Sequence, residues 1–128
     1  MRRKVLLVEH ESSMRNLIYV LLGALKCDSD VAFSGQQALA KIQRGDFDVV
    51  LLDLRSPDIL PPEILAGIRE IRPNLMGRTL CITGEVSDPE TLATIERSCL
   101  PCVRSGNLFQ ELWERLRLLF RPAESTSG

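Results

Sequence analysis

A chain of 128 residues, 45% hydrophobic and 26% charged, is long enough to bury one core and too short to divide into two. Sixteen Lys and Arg against seventeen Asp and Glu leave a formal charge of -1, which argues against the basic surface that a nucleic-acid backbone demands. No apolar run approaches the roughly 20 residues of a membrane span, and MRRK leads into a short strand rather than a signal-peptide core, so a cytoplasmic protein without membrane contact is expected.

Cys27, Cys81, Cys99 and Cys102 are too scattered for a disulfide framework, and the chain has enough Leu, Ile and Val to fold without one, so they are expected to be thiols.

In chain order, Val5 to Val8 is an unbroken apolar run, hence a strand. Ser12 and Ser13 are candidate caps for a helix whose apolar residues are Met14, Leu17, Ile18, Leu21 and Leu25. Asp30 to Phe33 is a short second strand, and Gly35 opens a helix through Ala38, Leu39 and Ile42 that Gly45 closes. Phe47 to Leu52 reads as a strand buried on both faces, because its last four residues do not alternate with polar ones; Asp53 stands at its end. After the proline-rich SPDILPPE, Ile64, Leu65, Ile68 and Ile71 form a third helical face, ended by Pro73 and Asn74. Thr79 to Thr83 is a fourth strand, and Asp88, Pro89 and Glu90 start a fourth helix with Leu92, Ile95 and Cys99 inward. Pro101 to Arg104 is a weaker fifth strand. Asn107 can cap a last helix with the stripe Leu108, Leu112, Leu116 and Leu119, beside which Phe109, Trp113 and Phe120 form a core edge or a partner patch.

Five strands alternating with five helices imply an α/β fold, a doubly wound parallel sheet with helices on both faces. In the flavodoxin-like order 2-1-3-4-5, ligands sit outside the carboxyl ends of the first and third strands. Glu9 with His10, and Asp53, end those strands; Thr83 ends the fourth, and Arg104 with Ser105 ends the fifth. Paired carboxylates recruit a cation and suit Mg²⁺, and an aspartate so placed can accept a phosphoryl group.

KVLLVEHESSMRNLI, FDVVLLDLRSP and TLCITGE together resemble the receiver domain of two-component response regulators, over the whole chain to about residue 120. The resemblance implies Asp53 as phosphoacceptor, Thr83 as switch hydroxyl, and Mg²⁺ held by Glu9, Asp53 and the backbone carbonyl of Arg55. It implies a sensor histidine kinase or phosphotransfer protein as donor, and a protein partner or homodimer contact through the face of the fourth helix, fifth strand and fifth helix. A receiver domain over 1–121 is expected, with 122–128 as a flexible tail or linker, and no enzymatic turnover.

The pattern is atypical in places. His10 stands where a second metal-binding carboxylate is expected, which should weaken Mg²⁺ binding, because this metal prefers oxygen ligands. Ser105, by counting back from the last helix, or the neighbouring Arg104, stands where the family has lysine. Cys102 or Val103 replaces the switching aromatic residue, and Leu60 and Pro61 stiffen the acceptor loop. The expected function is therefore a receiver that is weakly phosphorylated or acts through protein contacts alone. A protonated His10 could neutralise Glu9 and Asp53 in place of a metal. Two other classes compete: a thiol redox or metal-binding protein using the CLPC pair Cys99 and Cys102, and a small phosphatase-like enzyme using the acidic rim.

Overall fold

Val5, Leu6, Leu7 and Val8 are all fully buried, and they point alternately into two different cores. That is what an apolar run without polar alternation requires: a strand with protein on both of its faces. In the computed structural model, residues 3–54, 61–83 and 101–120 are described, together with positions 89, 93, 96 and 97.

The strands are β1 (Arg3–Val8), β2 (Cys27–Ala32), β3 (Val49–Asp53), β4 (Thr79–Thr83) and β5 (Cys102–Arg104). All pairings are parallel, in the order β2-β1-β3-β4-β5. The doubly wound arrangement expected from the alternating elements is the one observed. The helices α1 (Ser12–Ala24), α2 (Gly35–Arg44), α3 (Pro61–Ile71) and a C-terminal helix (Leu108–Leu119) cover the sheet.

One core joins Leu6, Val8, Leu52 and Cys81 to Ala38 and Ile42 of α2 and Ile64, Leu65 and Ile68 of α3. The other joins Val5, Leu7, Leu51, Leu80 and Ile82 to Ile18 and Leu22 of α1 and Leu108, Leu112 and Leu116 of the C-terminal helix. Where α2 meets α3, a Cβ on Gly67 would lie 2.6 Å from both methyl carbons of Leu39, so a larger residue there would have to displace the leucine.

Several boundaries differ from the expected ones. β2 begins at Cys27 rather than Asp30, because Arg3 pairs with Cys27 at the edge of the sheet, where Asp28 and Ser29 can face water. Lys26, at φ 63°, makes the left-handed turn from α1 into that strand. β3 begins at Val49 rather than Phe47; Asp48 instead binds Lys4 twice, its N–H donating to the Lys4 carbonyl and its carboxylate accepting from the Lys4 N–H.

The serines expected to cap α1 lie inside it. Glu11 holds the N-cap position, and the Ser13 hydroxyl donates to its Oε1. Ser34 caps α2 by accepting from the Gln37 N–H at 3.2 Å, and Gly45 ends that helix with extended backbone. Asn107 sits at the N-cap of the C-terminal helix without a side-chain cap bond.

Phe109 and Trp113 are exposed on the C-terminal helix, whereas Phe120 packs on the core beneath the Arg3 guanidinium. Pro61, Pro62 and Glu63, expected in the proline-rich loop, instead form the first turn of α3, whereas the rest of that loop, most of the expected fourth helix and the expected tail from 122 lie outside the described residues. Among the described residues, no helix is long and apolar enough to cross a membrane.

Candidate functional site

The rim of the sheet is set by register. Val8 of β1 pairs with Leu52 of β3, so Glu9 and Asp53 follow one position further along two neighbouring strands. The Glu9 N–H donates to the Ala32 carbonyl at 2.9 Å, tying the residue after β1 to the end of β2. Asp53 pairs with Ile82 of β4, and the Leu54 N–H donates to the Ile82 carbonyl at 3.0 Å, which carries the ladder past the aspartate. Backbone pairing on both sides thus holds the two carboxylates at the carboxyl edge.

Both are buried: Glu9 is 1% exposed and Asp53 2%. Anions withdrawn from water need a cation, a proton or hydrogen bonds to offset the lost hydration. Oε2 of Glu9 accepts from the Glu11 N–H at 3.2 Å and lies 3.8 Å from Nδ1 of His10. The imidazole remains in contact with solvent, at 37% exposure.

Thr83 is half-buried at the end of β4 and pairs with Arg104, the last residue of β5. Ser105 opens a short 3-10 turn, Ser105–Asn107, before the C-terminal helix. Counting back from the helix leaves that turn out, which is how it puts Ser105 at the lysine position, one residue beyond the strand. Arg55 lies outside the described residues. The structure therefore brings Glu9, His10 and Asp53 to one stretch of rim, and Thr83 and Arg104 to the ends of the next two strands.

The donors at the first stretch are two buried carboxylates and an imidazole. Among the described residues, no cluster of three or more His, Cys, Asp and Glu side chains is arranged to hold a metal ion. Of the CLPC pair, Cys99 lies outside the described residues, and Cys102 stands opposite Cys81 on β4. Sequence spacing missed that partner because it arises from strand order.

A doubly wound sheet with an acidic rim at its β1/β3 crevice is the architecture of a signalling receiver, and residues 5–104 match the response regulator receiver domain family. The chain belongs to that family. Over 118 residues, 92% of its length, it is 32% identical to the transcriptional regulatory protein TrcR of Mycobacterium tuberculosis, of which it covers 45%. It spans about half or less of the length of the curated relatives it matches. In structure it is similar to a CheY-like receiver domain from Methanospirillum hungatei, with a TM-score of 0.81, 18% identity and full coverage of both chains. It is also similar to the receiver domain of the sensor histidine kinase PA1611 from Pseudomonas aeruginosa, with a TM-score of 0.79 and 19% identity over 93% of this chain and 98% of that one. The PA1611 domain holds a magnesium ion in its active-site cleft.

Proposed function

We propose that this chain is a receiver module whose Asp53 is weakly phosphorylated or serves without phosphorylation, and whose output is contact with other proteins. The observation that carries this reading is the rim itself: a buried acceptor-position aspartate beside a buried glutamate, with imidazole 3.8 Å from the glutamate oxygen. Two carboxylates plus imidazole fit Mg²⁺ poorly, since it favours an octahedral set of oxygens. When bound, Mg²⁺ would be held by Glu9, Asp53 and the Arg55 carbonyl, and would offset phosphoryl charge. Protonated His10 supplies a positive charge at the same place without a metal.

In the phosphorylated form, a carboxylate oxygen of Asp53 attacks the phosphorus of a phosphohistidine and the P–N bond breaks, leaving the donor's imidazole. Thr83 would hydrogen-bond the phosphoryl oxygens. Arg104, paired with Thr83 at the strand end, is better supported than Ser105 as the residue at the lysine position. The donor would be a sensor histidine kinase or a phosphotransfer protein. The exposed Phe109 and Trp113 support a protein contact or homodimer on the side of β5 and the C-terminal helix. Residues 1–121 act in this role as one cytoplasmic receiver domain, with 122–128 a tail or the start of a linker, without nucleic-acid contact or catalytic turnover.

The test is incubation with Mg²⁺ and either acetyl phosphate or beryllofluoride, read by intact mass and amide NMR. Little or no modification is expected. Full modification at Asp53, with amide shifts near Thr83, would overturn the reading in favour of a conventional metal-dependent switch.

A further inference from the structure

Cys81 and Cys102 are direct partners in the parallel pairing of β4 with β5. Residues opposite one another in a parallel pair point to the same face of the sheet, and here both belong to the core beneath α2 and α3. Strands lie about 4.8 Å apart, inside the range of about 4.4 to 6.8 Å between Cα atoms that disulfides span. Cys81 is fully buried, whereas Cys102 lies on the edge strand and is half-buried. Both are thiols in this structure.

The two thiols are chemically unequal. The hydrogen bond with Cys102, reinforced by burial, pushes the Cys81 thiol far up, so it keeps its proton. Receiving that hydrogen bond lowers Cys102 to about 7, against the opposing effect of burial and with help from the Arg115 charge. The thiolate is the nucleophilic form, and at Cys102 it coincides with the more accessible sulfur.

We propose that Cys81 and Cys102 form a redox pair, in which Cys102 reacts with a peroxide and Cys81 resolves the product to a cross-strand disulfide. The Cys102 thiolate attacks one peroxide oxygen; the O–O bond breaks, and the departing hydroxide is protonated to water, leaving a sulfenic acid. Oxidation removes the Cys102 thiolate that held the Cys81 proton; Cys81 gives that proton to the sulfenic oxygen as its sulfur attacks the Cys102 sulfur, the S–O bond breaks, and a second water leaves. The two cysteines give up two electrons, and the peroxide is reduced to two waters. The bond ties the edge strand to β4 two residues short of the pair Thr83 and Arg104, so oxidation constrains the rim from behind.

The experiment treats the reduced chain with hydrogen peroxide, blocks remaining thiols with N-ethylmaleimide under denaturing conditions, and maps non-reduced peptides by mass. The expected result is loss of two hydrogens, a peptide linking Cys81 to Cys102, and blocked Cys27 and Cys99. The Cys27→Ala, Cys99→Ala chain should give the same link, and Cys81→Ala should leave a sulfenic acid on Cys102 that dimedone captures. A Cys99 to Cys102 link, a bond between two chains, or four blocked thiols after oxidation overturns the proposal. The unsubstituted chain decides the matter even if Cys81→Ala does not fold. No phosphodonor is used, so the result is independent of the reading of Asp53.

Discussion

Nδ1 of His10 stands 3.8 Å from Oε2 of Glu9, so the one histidine of the chain sits against a carboxylate that is 1% exposed. At that distance the pair is an ion contact when the imidazole is protonated, and it places positive charge where the rim is most acidic.

Replacing that imidazole with a carboxylate should convert the rim into a better magnesium site. His10→Asp is expected to bind Mg²⁺ at least about tenfold more tightly than the unsubstituted chain, or about 1.4 kcal/mol, measured by isothermal titration calorimetry. Equal affinity in the two chains would show that His10 does not limit metal binding.

Asp30 on β2 receives Lys41 Nζ of α2 on both oxygens, at 3.1 and 3.0 Å. Burial acts to raise its pKa, but the Lys41 hydrogen bonds and the Val31 N–H outweigh it and hold the carboxyl below its ordinary 3.8. A folded value below the unfolded one contributes stability above about pH 4 that is lost as pH falls through the folded value. Because both side chains meet solvent, the contribution is under about 1 kcal/mol. Asp30→Asn is expected to lower stability by that much at about pH 7 and by less as pH falls below about 4, in urea denaturation at neutral and acid pH. An equal loss at both would assign the effect to packing.

Gly67 sits where α3 comes closest to α2, with the end of Leu39 against it. Gly67→Ala gains about 1 kcal/mol of helix propensity and incurs about 1–3 kcal/mol of overpacking, so a net loss near 1 kcal/mol is expected. Shortening the neighbour relieves the clash: Leu39→Ala should cost less in the Gly67→Ala background than alone, in a double-mutant cycle of thermal or urea unfolding. Strict additivity would mean that the two residues do not press on one another.

The sequence was most informative where one residue faces two constraints. FDVVLL announced a central strand because a strand buried on both faces cannot alternate, and Asp53 was found at its end because the apolar run stops there. Thr79 to Thr83 was legible for the same reason. β2 was partly hidden: its Asp28, Ser29 and Asp30 are tolerated because an edge strand has solvent beside it. Glu11 holds the N-cap of α1 without a side-chain cap bond, so the serines' capping chemistry does not mark where that helix starts. The pairing of Thr83 with Arg104, and of Cys81 with Cys102, depends on which strands become neighbours and on a 3-10 turn after β5. Neither leaves a mark in local spacing. Phe120 resembled Phe109 and Trp113 in sequence, but it follows the last helical turn and closes over the core under Arg3.

Trp113 is the sole tryptophan of the chain, and it lies 43% exposed with the Arg117 guanidinium 4.9 Å over its ring. Its fluorescence therefore reports on a single face of a single helix, with no second indole to blur the signal. An unlabelled partner that covers this face should displace water and the guanidinium from the ring and change both the wavelength of emission and its quenching by iodide. A partner that binds and leaves the emission untouched must dock elsewhere. The molecule carries its own optical probe at one of its candidate contact surfaces.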